Sequence, residues 1–262
     1  MQPSTDAALS TASGQAPEDR RGEPLLYSHA GLELRGELYR PGNAGNGRAV
    51  IVVHEADGIG ANVRRHSAML ADDGYVVLAA DMHGGGRVLD GDAMRDAVDR
   101  FRQDPDLVRD RGAAAVDALG LASGIGTGMT AAIGYCFGGF TVLELARSGA
   151  PIRAVASFHG LLTTARPAAK GAVAARVAVY TGALDPLVPP QDVASFQQEM
   201  MEAGADWQMS IYGKALHSFT NRTVDRLGDP RMAYDAEADC ASWADMLRFL
   251  DESFKEPSPG PA

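Results

Sequence analysis

Cysteine is almost absent from this chain. Its 262 residues include two cysteines, Cys136 and Cys240, which lie far apart in the sequence. Two distant cysteines do not make the disulfide framework of a small secreted protein. We therefore expect reduced thiols and a cytoplasmic location.

Basic residues are in the minority. Lys and Arg total 24 against 34 Asp and Glu, which gives a net charge of −10, and no cluster of Lys and Arg stands out. Nucleic-acid-binding proteins carry a positive patch or stripe. Nucleic acid is therefore not an expected partner.

Long apolar runs are lacking as well, since none approaches the roughly 20 residues of a membrane span. Residues 1–24 are rich in small, polar and acidic side chains, contain Arg20 and Arg21, and lack the apolar segment of an export signal. This composition predicts a disordered N-terminal tail, and the Pro- and Gly-rich residues 255–262 predict a flexible C-terminal one. No membrane association is expected, and the protein is expected to be a monomer or weak homodimer.

The rest of the chain, residues 25–254, has the pattern of one α/β domain. Hydrophobic residues make up 45% of the sequence, enough for a sizeable core. β-branched and apolar runs predict strands at residues 24–29, 31–40, 49–53, 75–80, 129–133, 152–158, 176–181 and 207–212. Helical spacing predicts helices at residues 62–72, 140–147, 191–203 and 234–254, with two more between residues 91 and 121.

Strands that alternate with helices predict a mostly parallel sheet covered on both faces. Ligands bind such sheets beyond the carboxyl ends of the strands, so the loops that follow strands are the candidate site. The helical segment 91–121, broken near Pro105 with Asp104 as a helix N-cap, is expected to form one wall of a pocket.

The segment from Gly134 to Gly139, sequence GYCFGG, places a thiol where a Gly-x-Ser-x-Gly elbow has its serine. An apolar strand precedes it and a helical pattern follows, which is the context that this motif requires. Cys136 would then lie at a helix N-terminus, where backbone N–H groups favour a thiolate. The alternative is a buried cysteine beside a glycine-rich turn.

Two further loops complete a catalytic set. Asp185 follows the strand that ends near Tyr180, and His217 follows the last predicted strand. The chain order nucleophile, acid, histidine is that of an α/β-hydrolase, in which the imidazole shares the nucleophile's proton and the carboxylate orients it. Taken singly, Asp185 is typical of a turn before proline and His217 of a surface loop. Their order makes a triad the favoured interpretation.

The loop after the first buried strand, His54-Glu55-Ala56, supplies the remaining groups. The backbone N–H groups of Ala56 and Phe137 are the expected oxyanion-hole pair. Glu55 is unusual beside a thiol, because two acids that both ionise raise each other's pKa. The hypothesis is that Glu55 exchanges partners and takes the thiol proton when substrate arrives. The alternative is a solvated loop acid.

Together, Glu55, the cysteine elbow, Asp185 and the run His217-Ser218-Phe219 resemble the dienelactone hydrolase family, from about residue 25 to residue 254. The resemblance implies a small single-domain α/β-hydrolase with a Cys-His-Asp triad. It also implies that the thiol rests neutral against the glutamate, which substrate binding frees to deprotonate it. The thiolate then attacks an activated ester or lactone carbonyl, and water cleaves the thioester.

Two departures from the family concern its substrate-binding arginines. After Asp81, Arg87 arrives about two positions late, and after Phe219 the arginine position is Asn221, with Arg222 one residue later. Either Arg87 and Arg222 turn in from these positions or the substrate lacks a carboxylate. The second interpretation is favoured.

Several side chains near strand ends are expected to line the pocket: His54, His83, Tyr135, His159 and Phe219. Core packing explains Tyr135 equally well. His66 is expected on a helix surface. No histidine pair has zinc-site spacing with a third ligand nearby, so no metal and no cofactor are expected.

The sequence thus predicts a cofactor-free hydrolase of a small lactone, enol ester or other activated ester. Two alternatives stay open. One is a cyclase, isomerase or acyl transferase that uses the same triad, since one fold supports many reactions. The other is a non-catalytic binding protein on a hydrolase scaffold, which an intact triad disfavours.

Overall fold

The computed structural model describes residues 20–255. Most of the predicted N-terminal tail and all but the first residue of the predicted C-terminal tail lie outside this range. The described residues 20–24 include the start of the first strand at Glu23, where Glu23 pairs with Leu38. The last helix ends at Lys255.

Eight strands form one sheet, which confirms the predicted strands within a few residues at their ends. Their order is β1-β2-β4-β3-β5-β6-β7-β8; β1 pairs with β2 and β2 with β4 antiparallel, and all other neighbours are parallel. The strands are β1 (Glu23–His29), β2 (Leu32–Tyr39), β3 (Ala49–Val53), β4 (Val76–Ala80), β5 (Thr130–Tyr135), β6 (Ala154–Phe158), β7 (Arg176–Gly182) and β8 (Trp207–Tyr212).

In the described part of the chain, six α-helices cover the two faces of the sheet. They are α1 (Ala61–Asp72), α2 (Gly91–Gln103), α3 (Pro105–Ser123), α4 (Phe137–Arg147), α5 (Pro190–Ala203) and α6 (Ala236–Lys255). The predicted break near Pro105 is confirmed: Asp104 caps α3 by accepting a 3.0 Å hydrogen bond from the backbone N–H of Leu107. The start of α4 differs most from the sequence prediction, by three residues, because the helix begins directly after Cys136.

Alternation along the buried strands divides the core into two layers. In β3, Ile51 and Val53 pack with residues of α2 to α5, whereas Val50 and Val52 pack with residues of α1 and α6. A parallel strand buried on both faces is apolar at every position, as β3 is. The sheet therefore separates the two helical layers and presents the carboxyl ends of its central strands at one edge.

Candidate active site

The turn between β5 and α4 presents Cys136 in a constrained backbone conformation. Its φ of 54° lies in the left-handed region, which a residue with a Cβ seldom adopts. A Cβ at Gly134 would lie 2.1 Å from Gly138 O, and one at Gly138 would lie 2.1 Å from Val53 O. Both positions therefore require glycine, because the strand, the turn and the neighbouring strand approach backbone to backbone. The thiol is left partly exposed at the start of α4.

Loops after β7 and β8 bring the two other candidate residues to this thiol. His217 Nε2 lies 3.1 Å from Cys136 Sγ, and His217 Nδ1 lies 2.8 Å from Asp185 Oδ2. Asp185 and His217 are both buried, with exposed fractions of 3% and 1%. The backbone N–H of Leu187 donates to Asp185 Oδ1 at 2.8 Å and holds the carboxylate in place. The three side chains thus form one hydrogen-bonded chain.

The charges in this chain of hydrogen bonds favour a protonated imidazole. Burial lowers the pKa of His217, but the interactions with Cys136 and the hydrogen bond to Asp185 outweigh it and raise that pKa to about 10. The surroundings of His217 therefore favour its protonated ring. An imidazole in this position can accept the proton of the thiol and hold it beside the sulfur.

Glu55 is held by a different residue from the one that the family resemblance implies. Its Oε2 accepts a 2.9 Å hydrogen bond from Asn221 Nδ2, and within residues 20–255 Glu55 makes no hydrogen bond to Cys136. Burial and then the charge of Asp57 raise the pKa of Glu55 to about 7. Glu55 can thus exchange a proton near neutral pH.

The backbone N–H groups of Ala56 and Phe137 are both without a hydrogen-bond acceptor in the part of the chain that the structure describes. Phe137 is the first residue of α4, whose opening N–H groups have no partner within the helix. Both residues line the cleft that contains Cys136 and His217. Two free donors beside a nucleophile match an oxyanion hole in composition.

This thiol cleft has a volume of about 510 Å³. Its apolar lining is formed by Ala56, Met94, Val98, Phe137, Phe140, Leu161, Pro186, Leu187 and Met232. Met94 and Val98 belong to α2, so the segment 91–121 forms a wall of the cleft as expected. Five charged side chains and a threonine complete it: Arg95, Asp99, Arg102, Thr163, Asp192 and Arg231.

None of the side chains expected to bind substrate lines this cleft. His54, His159, Tyr135 and Phe219 have exposed fractions of 0%, and His83 one of 4%. The expectation that they line the pocket is wrong for all five, because each is used in packing or in holding backbone. Tyr135 points to the layer of α1 and α6, where it stacks on His66 with ring centroids 4.4 Å apart, and Phe219 lies in the same layer.

The buried histidines hold the backbone of the site. His54 Nδ1 donates to Glu55 O at 2.6 Å, which fixes the peptide whose N–H belongs to Ala56, and its Nε2 accepts from Met82 N. His83 Nε2 donates to Ala56 O at 2.9 Å. Because His54 is buried beside His83, its pKa falls to about 3, so it stays neutral and keeps its acceptor nitrogen.

His159 supports the cysteine turn in the same way. Its Nδ1 accepts from Cys136 N at 3.1 Å, and its Nε2 lies 2.8 Å from Thr220 Oγ1, on the loop that carries His217. Burial, and then the charge of His217, hold the pKa of His159 well below its usual range. His66, expected on a surface, is 1% exposed and close to Asp239, so that expectation is also wrong.

The two displaced arginines do not turn into the cleft. Arg87 is exposed and donates to carbonyls of its own loop, Gly84 O at 3.1 Å and His83 O at 2.7 Å. Arg222 is exposed and hydrogen bonds to Tyr234. Neither side chain meets a substrate at Cys136 in this arrangement.

Sequence reasoning did not identify Met94 and Val98 as cleft-lining residues or Asn221 as the partner of Glu55. Met94 and Val98 are four residues apart on α2, a spacing that places them on one helix face, but no sequence signal distinguishes a cleft-facing from a core-facing stripe.

Within residues 20–255, no group of three or more His, Cys, Asp or Glu side chains is arranged to hold a metal ion. No helix in that range is long and apolar enough to span a membrane.

The chain is similar in sequence and fold to several known proteins. The model of the dienelactone hydrolase family matches residues 34–254. The crystal structure of the dienelactone hydrolase-like promiscuous phosphotriesterase P91 from metagenomic libraries is 36% identical, with a TM-score of 0.82 over 88% of this chain and 97% of that one. A structure named m3DLH is 35% identical, with a TM-score of 0.84 over 89% and 98%. A Bradyrhizobium sp. protein named "Probable 2-oxo-3-(5-oxofuran-2-ylidene)propanoate lactonase" is 27% identical over 225 residues, 81% of this chain and 87% of its own.

Proposed function

Because the chain belongs to the dienelactone hydrolase family and is a hydrolase of the ester or lactone type, we propose that it cleaves a small lactone, enol ester or other activated ester through a thioester on Cys136. The observation that carries this proposal is the continuous hydrogen-bonded chain from Cys136 through His217 to Asp185. In this proposal the reaction uses groups of the chain and one water molecule.

The first half-reaction forms the acyl-enzyme. The thiolate of Cys136 attacks the carbonyl carbon, a C–S bond forms, and the carbonyl oxygen becomes an oxyanion. The free N–H groups of Ala56 and Phe137 stabilise that charge. The C–O bond then breaks, and His217 donates its Nε2 proton to the departing oxygen. Asp185 keeps the imidazolium oriented during both steps.

The second half-reaction returns the enzyme to its starting state. His217 removes a proton from water, the hydroxide attacks the thioester carbon, and the C–S bond breaks with release of the acid. Thiolates leave readily as well as attack, so they favour substrates whose own leaving group is stabilised, such as enolates. Activated esters therefore suit this site better than alkyl esters.

Glu55 is proposed as a second proton carrier. Its pKa of about 7 matches the working range of a general acid or base, and its bond to the neutral Asn221 is one that substrate binding can break. In this proposal Glu55 leaves Asn221 when substrate enters and takes the proton of any Cys136 that is present as a thiol.

Replacing the cysteine tests the covalent mechanism. We expect Cys136→Ala to abolish hydrolysis of p-nitrophenyl acetate and to leave no acyl adduct in intact-protein mass spectrometry after rapid quenching. Cys240→Ala is the matched control, since Cys240 is the other cysteine and is exposed; it should keep full activity. Hydrolysis that survives in Cys136→Ala would refute the thioester.

A further inference from the structure

The apolar lining of the thiol cleft contains a helix face that the triad chemistry does not use. Met94 and Val98 of α2 are both partly buried, and both line the cleft together with Phe137 and Phe140. The lining also includes Leu187, on the loop after β7. A group attached to a carbonyl at Cys136 therefore enters a cleft with apolar side chains from α2, from α4 and from this loop.

Two of the three arginines in the cleft are already neutralised. Arg95 forms an ion pair with Asp92 one turn earlier in α2. Arg231 forms an ion pair with Asp229, with 2.6 Å between Nη2 and Oδ2. Its Nε also donates a hydrogen bond to Oδ1 of the same carboxylate. An incoming anion would have to compete with these carboxylates for the guanidinium donors.

The third arginine shares the cleft with unneutralised acids. Within residues 20–255, Arg102 makes no ion pair or hydrogen bond, but Asp99 and Asp192 line the same cleft and their carboxylates make none either. The uncompensated charges of the lining are thus one positive and two negative. This balance and the chain net charge of −10 both disfavour an anion in the cleft.

The two loops in which the family resemblance implies substrate-binding arginines add no free positive charge to the cleft. Arg87 is bonded to carbonyls of its own loop, and Asn221 holds Glu55. A substrate carboxylate brought to the thiol would lose its water, and the one unpaired guanidinium of the lining, that of Arg102, shares the cleft with the unpaired carboxylates of Asp99 and Asp192. Burying an unpaired carboxylate is costly.

We propose that the cleft accepts carbonyl substrates whose acyl group is apolar and uncharged, and that Met94 and Val98 contact this group. The inference rests on the proposed function, because it names the substrate class of the same site. An unbranched alkyl or an aromatic acyl group meets the requirement, and a carboxylate at its far end does not.

Two esters that differ only at the end of the acyl chain test the charge preference. We expect kcat/KM for p-nitrophenyl hexanoate to exceed that for the p-nitrophenyl monoester of adipic acid by about tenfold or more. The leaving group is the same in both, so the ratio reports the acyl group alone. An equal or higher kcat/KM for the adipate ester would overturn the inference.

Helix variants test the contact itself. Met94→Ala and Val98→Ala should each lower kcat/KM for the hexanoate by about tenfold more than they lower kcat/KM for p-nitrophenyl acetate, because acetate has no chain to bury. The acetate value also shows that the site is still assembled. Val88→Ala and Met201→Ala are matched controls: both residues are exposed and lie outside the cleft. An equal fall in kcat/KM for both esters, or no fall in kcat/KM for the hexanoate, would refute the contact.

A binding measurement separates this inference from the proposed function. 2-Octanone and 7-oxooctanoate differ only in a terminal methyl or carboxylate, and each can protect Cys136 from alkylation by iodoacetamide. We expect 2-octanone to protect Cys136 at a concentration about tenfold lower than 7-oxooctanoate does. The peptide that contains exposed Cys240 is the internal control in the same digest. Absence of all ester hydrolysis would overturn the proposed function, whereas equal protection by the two compounds would overturn only the substrate class.

Discussion

Asn221 Nδ2 donates a 2.9 Å hydrogen bond to Glu55 Oε2, which joins the loop after β8 to the loop after β3. Thr223 fixes the amide, because its backbone N–H and its hydroxyl both donate to Asn221 Oδ1 at 3.0 Å. The nitrogen of the amide is thereby turned to Glu55. A neutral donor stabilises the carboxylate less than an arginine would, which leaves burial to raise the pKa of Glu55 to about 7.

The raised pKa of Glu55 predicts a pH-dependent stability. Between its ordinary pKa of 4.5 and the folded value of about 7, the folded protein binds more protons at this residue than the unfolded chain does. The free energy of unfolding therefore falls as pH rises through this window. Glu55→Gln removes the effect, so the Tm of the variant relative to the wild type should rise from about pH 4.5 to about pH 7.

Thermal unfolding followed by circular dichroism across this pH range measures the difference. Glu33→Gln is the control, because Glu33 is an exposed side chain on β2. Its Tm should follow that of the wild type at every pH. A difference between Glu55→Gln and wild type that is constant with pH would contradict the prediction.

The bond from Asp185 to His217 predicts a large loss of kcat in Asp185→Asn. Oδ1 of the asparagine can still accept from Leu187 N–H, so the loop should fold. Its amide nitrogen would then face His217 Nδ1 and favour the wrong imidazole tautomer. We expect kcat for p-nitrophenyl acetate to fall by about 10⁴. Steady-state kinetics check this, with the exposed Asp72→Asn as a control that keeps activity. A loss of less than tenfold would show that Asp185 does not orient the imidazole.

The contact between His159 and Thr220 predicts a stability difference between two small substitutions. Thr220→Val keeps the shape of the side chain but leaves His159 Nε2–H buried without its acceptor, which should lower the free energy of unfolding by about 1–3 kcal/mol. Thr220→Ser keeps the hydroxyl, so its free energy of unfolding should fall by less than that of Thr220→Val. Urea denaturation measures both values. Equal losses would mean that the hydroxyl does not serve His159.

The glycines of the elbow predict a steric effect. In Gly138→Ala the new methyl would lie 2.1 Å from Val53 O, a backbone atom that cannot turn aside, so α4 must move away from β3. We expect a loss of about 3 kcal/mol or more in stability and slow alkylation of Cys136. Gly213→Ala is the matched control, since a Cβ there meets nothing within 4 Å. A Gly138→Ala protein as stable as Gly213→Ala would contradict the close approach.

Much of the fold follows from local pattern. The β-branched runs of β3 and β4 are buried on both faces, and such runs have few alternatives to a central parallel strand. The position of Cys136 after β5, with Asp185 and His217 after β7 and β8, follows from the same pattern. In a parallel sheet the ends of neighbouring strands meet at one edge, so order along the chain becomes proximity in space.

Side-chain direction at that edge could not be predicted in the same way. His54, His159 and Tyr135 each end a strand or follow one directly, as Cys136 does, yet they are buried and Cys136 is not. Successive side chains of a strand point to opposite faces of the sheet, so a shift of one residue moves a side chain from the cleft to the core. At the strand ends this alternation is irregular, because Cys136 and His159 have positive φ values. The expectation that His54, His159 and Tyr135 line the pocket is wrong for this reason.

The sequence by itself determined the order of strands and helices and the chemical identity of the three residues brought together at Cys136. Apolar periodicity and glycine are local signals, and the chain carries them in sequence. Tertiary structure alone decided that Asn221 holds Glu55, that Arg87 and Arg222 bond to other groups, and that Met94 and Val98 line the thiol cleft. These outcomes depend on how distant loops and helices pack against each other, and no local pattern specifies that packing.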